Sequence, residues 1–146
     1  MNYELIMLRN ALRMKRCADK FREELEQIAI TSYNTFNFRD GTMGQIEAIS
    51  RSQQRIEECE RFYEIVKSAL IVIPKGYRAL LVAVYLKRID KKVIAKRYFV
   101  SLSTVYRKLC RARTAFLKAL SAMGCDEAWF LANYGDYDFE ERLPKR

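Results

Sequence analysis

Residues 101–111 read Ser-Leu-Ser-Thr-Val-Tyr-Arg-Lys-Leu-Cys-Arg, which brings hydroxyls, a phenol and three cations together in one short stretch. Such side chains donate hydrogen bonds to base edges and clamp phosphate oxygens. Ser101, Ser103, Thr104, Tyr106 and Arg107 are the expected base contacts. Arg107 leads them, because a bidentate arginine on guanine is the commonest specific pairing. Lys91, Lys92, Lys96, Arg97, Lys108, Arg111 and Arg113 are the expected phosphate contacts.

Other chemistries lack their parts. The chain has no histidine, so it holds no Ser-His or Cys-His nucleophile pair and no histidine ligand for zinc. The four cysteines, Cys17, Cys59, Cys110 and Cys125, are dispersed without a CxxC pair and read as reduced thiols. The expectation is therefore no enzyme, no metal and no cofactor.

Net charge is +9, and its distribution says more than its sum. Residues 74–124 carry thirteen basic side chains against one acid, Asp90, while the flanking segments are near neutral or acidic. A segment so lopsided attracts a polyanion through phosphate neutralisation and counterion release, with double-stranded DNA the leading partner.

These groups need a scaffold. The chain has 146 residues, half of them hydrophobic, with five Gly and two Pro, so an all-α fold is expected. Leu5, Leu8, Leu12, Ala18, Phe21, Leu25 and Ile28 recur at helical spacing and predict a helix over 3–28. A loop is expected over Thr31–Gly44. A second long helix follows at about 45–72, with Ile46, Ile49, Ile56, Cys59, Tyr63, Val66, Leu70 and Ile73 on one stripe. The two stripes suit an antiparallel hairpin, or a coiled coil with a second copy in a homodimer. Pro74 marks a boundary, giving expected domains at 1–73 and 74–124, with an acidic, aromatic tail at 125–146. That tail either docks back onto the basic domain or serves as a landing surface for a partner or a self-inhibiting DNA mimic. The longest apolar run, Ala79–Leu86, is too short for a membrane span, and no signal-peptide pattern opens the chain, so a cytoplasmic protein without membrane contact is expected.

Within the basic domain, helices are expected at about 75–87, 91–98 and 102–122, then a short one from Asp126 to Ala132. Asp90 and Ser101 are placed as N-caps, and Met123-Gly124 as a stop. Lys91 and Lys92 then fall in a first helical turn, where cations are disfavoured unless they face something negative. Ile94, Tyr98, Val100, Val105 and Leu109 would lock two helices around a short turn, with small Ala95 at the crossing. That is helix-turn-helix spacing.

The series Ile73-Pro74, Arg78, Tyr85-Leu86, Ile94-Ala95, Ser101-Leu102-Ser103-Thr104-Val105, Leu109 and Arg111-Ala112-Arg113 resembles region four of bacterial sigma factors, which binds the −35 promoter element. The string STVYRKLCRARTAFLKAL is especially similar. With two long helices ahead of it, the chain resembles the small phage late-gene activators of the ArpU and RinA type from Gram-positive hosts. The resemblance implies a transcription regulator that binds promoter DNA in the major groove and contacts RNA polymerase. The chain departs from the pattern at Arg88 and Phe99, both frequent glycine positions, and at Val93, where glutamate is usual. The alternatives are a small terminase-like packaging subunit, or a sigma-like partner-binding module that does not touch DNA.

Overall fold

The computed structural model describes residues 2–34, 41–137 and 139. Six α-helices and one π-helical segment follow in order: α1 (Tyr3–Asn34), α2 (Gly41–Val72), α3 (Lys75–Leu81), the π segment (Val82–Leu86), α4 (Lys91–Arg97), α5 (Leu102–Ala122) and α6 (Glu127–Tyr134). There is no strand among the described residues.

Both long helices intrude on the expected loop, since α1 runs to Asn34 and α2 starts at Gly41. Single Thr, Ser and Asn residues cost a helix only a few tenths of a kcal/mol each, so a long helix carries through them. The buried face of α1 also differs from the expected stripe. Tyr3, Met7, Ala11, Met14 and Ala18 are buried with Leu8, whereas Leu5 and Leu12 flank them partly exposed. On α2, Phe62 and Ala69 join Ile56, Cys59, Val66 and Leu70, with Ile73 buried just past its end, while Ile46 is exposed.

The chain divides into two compact units, Met1–Ala11 with Ile65–Arg146, and Leu12–Glu64. The start of α1 and the end of α2 fall in the same unit as the basic segment. In the smaller unit, Lys15 Nζ lies 5.0 Å from the Tyr63 ring centroid, and Arg55 Cζ lies 5.9 Å from that of Phe21. An ion pair joins Arg22 to Glu60.

In the larger unit, Arg78 on α3 closes the end of α2. Its Nε donates to the Leu70 carbonyl at 2.7 Å, and Nη2 to those of Ile71 at 2.7 Å and Ile73 at 3.2 Å. It thereby satisfies carbonyls that a helix C-terminus leaves without partners. Helix α3 then widens into the π segment, where the Lys87 amide reaches the Val82 carbonyl at 2.8 Å. Ile94, Ala95 and Val105 form the core between α4 and α5, with Leu80, Ala83, Val84, Ile89 and Val100 packed around it. Tyr98 is a correction to the expected lock. It ends α4, and the residue is 63% exposed.

The tail packs within this same unit. The Asp126 carboxylate accepts the Trp129 amide hydrogen at 2.8 Å and starts α6, which runs two residues beyond the expected Ala132. Phe130 and Tyr134 are buried, the Phe130 ring lies 5.8 Å from Tyr3, and the Tyr3 hydroxyl donates to the Cys125 carbonyl at 2.9 Å.

Candidate nucleic-acid interface

Each basic helix begins at the cap its sequence provides. Asp90 Oδ1 accepts the Lys92 amide hydrogen at 3.0 Å and starts α4. Ser101 Oγ accepts that of Thr104 at 3.2 Å and starts α5, which stops where Gly124 takes φ +78°. Between them the turn is tight: the Val100 amide returns to the Ala95 carbonyl at 3.0 Å. Burial of Val105, Leu109, Ala112, Phe116, Ala119 and Leu120 fixes one face of α5 inward. The opposite face is thereby obliged to face water.

On that outer face Ser103, Arg107 and Arg111 recur every fourth residue, and Tyr106 and Lys108 are exposed beside them. Helix α5 carries five cations and no carboxylate over its 21 residues. Lys92, Lys96 and Arg97 are exposed on α4, and Lys91 is partly buried with Nζ 4.8 Å from the Tyr106 ring centroid.

Three of the expected contacts sit differently. Ser101 and Thr104 hydroxyls lie against each other and serve the cap. Arg113 is turned away from the exposed row. Its Nη2 lies 3.4 Å from the buried Glu4 carboxylate on α1, its side chain is 28% exposed, and its Nε is buried without a hydrogen-bond partner. A guanidinium placed in this way joins α5 to α1.

One cation outside the expected set lies beside these residues. Arg9, on α1, places Cζ 5.8 Å from the Tyr85 ring centroid and lines a groove of about 400 Å³ together with Arg88, Lys91 and Lys92. No local pattern marks Arg9, because helix α1 carries cations on several faces and only the folded chain selects one of them.

The backbone adds a second class of observation. Among the described residues, only Arg88 and Phe99 are non-glycine residues with positive φ, at 54° and 56°. They bracket α4, and Phe99 is 96% exposed. Side chains with a Cβ avoid this region unless the surrounding structure imposes it.

Burial pushes the Cys59 thiol up to about 11 and raises the Cys125 thiol and the Tyr3 and Tyr85 phenols above their ordinary values. Burial holds these groups in their neutral forms. Cys110 is exposed on α5. Among the described residues, no group of three or more His, Cys, Asp or Glu is placed to hold a metal ion, and no helix is long and apolar enough to cross a membrane.

No family model matches the chain, and no curated protein or solved structure matches it at a significant level.

Proposed function

We propose that the protein is a sequence-specific DNA-binding transcription regulator. In this reading α4, the turn and α5 are a helix-turn-helix like that of sigma region four. Helices α1 and α2 form an antiparallel hairpin ahead of it. The N-terminal turns of α5 enter the major groove of promoter DNA, where Ser103, Tyr106 and Arg107 read bases. Lys91, Lys92, Lys96, Arg97, Lys108 and Arg111 hold phosphates, and activation follows from contact with RNA polymerase.

One observation carries the reading: α5 exposes cations and hydroxyls along its outer face and has no carboxylate anywhere along its length. A surface kept only for solubility interleaves both signs. The backbone supports the same conclusion. Arg88 and Phe99 occupy two positions where the sigma pattern favours glycine, and both hold the left-handed conformation that glycine adopts freely.

Selection of bound sequences from random duplex DNA tests the proposal, followed by affinity measured against salt. Enrichment of a defined site, with a slope of several units in log K against log salt, is the expected result. No enrichment together with a flat salt plot overturns it. The partner-binding module that does not touch DNA would then take its place.

A further inference from the structure

Arg9, Arg88, Lys91 and Lys92 reach one groove from three separate stretches of chain: α1, the segment after the π turn, and the first turn of α4. We infer that this groove is a phosphate-binding site. Among the described residues none of the four cations forms an ion pair. The one carboxylate lining the groove, Asp90, has Oδ1 engaged by the Lys92 amide. Four like charges gathered at one groove repel each other, and a bound anion removes that repulsion.

Two of the cations are also held in position. Arg9 lies over the ring of Tyr85 and Lys91 over that of Tyr106. A cation resting on an aromatic face keeps N–H donors available for an oxyanion, and a guanidinium offers them in a planar fork that matches phosphate. Four cations against one acid leave the groove at +3, more than a single carboxylate would balance. A phosphate dianion or two neighbouring phosphodiesters fits that charge better.

Such phosphates have two sources: the backbone of DNA, which rests on the function proposed above, or a free phosphorylated molecule, which does not. The double variant Arg9→Gln/Arg88→Gly separates them, because glycine accepts the left-handed backbone at position 88 while removing the charge. Lys67→Gln/Lys118→Gln removes equal charge from exposed positions outside the groove lining and serves as control. A second variant, Lys91→Gln/Lys92→Gln, repeats the test without touching the backbone at 88. Circular dichroism establishes that each variant retains its helices. Affinity for duplex DNA against salt, and calorimetric titration with inorganic pyrophosphate, are the two readouts.

If the source is DNA, the groove variants bind roughly tenfold more weakly than the control and lose about two units of salt slope. If the source is a free ligand, wild type binds pyrophosphate, the groove variants bind it at least about tenfold more weakly, and their DNA binding matches that of the control. Groove variants indistinguishable from the control with both probes overturn the site. Should wild type ignore DNA altogether, the proposed function fails, and pyrophosphate alone decides the groove, with no binding by wild type overturning it.

Discussion

The Oγ of Ser101 lies 2.9 Å from the Oγ1 of Thr104, and the same Ser101 oxygen accepts the Thr104 amide hydrogen at 3.2 Å. Both hydroxyls are thus tied to the start of α5. Ser101→Ala is expected to lower stability by about 1 kcal/mol. The preferred DNA site should stay unchanged. Thermal unfolding and repeated site selection check the two halves, and an altered site with unchanged stability would show that Ser101 reads a base.

Phe99 combines a φ of 56° with 96% exposure, so it carries backbone strain and contributes almost no packing. Phe99→Gly should relieve the left-handed penalty, partly offset by the extra freedom of glycine in the unfolded chain. A net gain of about 0.5–1 kcal/mol is expected, seen as a higher urea midpoint at unchanged slope. A loss of stability would mean that the ring has a packing role.

Arg107 and Lys96 are exposed on different helices and should fail differently. Arg107→Ala is expected to weaken binding to the selected site by about 1–3 kcal/mol and to relax preference at one base position. Lys96→Ala should weaken binding to all sequences alike and reduce the salt slope by about one unit. Uniform loss from Arg107→Ala would reassign it to phosphate.

The Cys59 thiol is buried and pushed up to about 11, whereas Cys110 is exposed. Iodoacetamide should label Cys110 in the folded protein and reach Cys59 only on unfolding, as peptide mass spectrometry would show. The folded thiol titrates above its unfolded counterpart. Its contribution to stability is therefore complete below the ordinary thiol value of 9.0 and declines as pH rises towards about 11. Denaturant midpoints across that range, compared with Cys59→Ala, isolate the effect.

Phe130 is 2% exposed and meets the Tyr3 ring. Phe130→Ala should destabilise the larger unit by about 3 kcal/mol. A self-inhibiting tail would also give the variant tighter DNA binding; a purely structural tail leaves affinity at temperatures below unfolding unchanged. Calorimetric unfolding and DNA titration on the same preparation distinguish the two roles.

Local chemistry made much of the chain legible. Asp90, Ser101 and Asp126 each begin a helix because a short polar side chain before an apolar period can satisfy orphan amides, and Gly124 ends one because it tolerates positive φ. What escaped were features decided by distant partners. Met7, Ala11 and Met14 weigh little in a periodicity reading, yet the fold buries them in place of Leu5 and Leu12. Arg113 and Arg78 look like two more cations in a basic run until Glu4 and the end of α2 lie beside them. Arg9 stands some eighty residues from the groove it lines. No window of neighbouring residues contains that information.

The π segment at Val82–Leu86 ends the helix that α3 begins, and its wider turn holds nearly one residue more than an α-turn. Removing a single residue there restores ordinary pitch and turns the exit from this helix by about 100°. Its length therefore sets the direction in which the chain leaves for α4, and a one-codon deletion should re-aim the exposed row of Ser103, Arg107 and Arg111 while sparing every side chain on it.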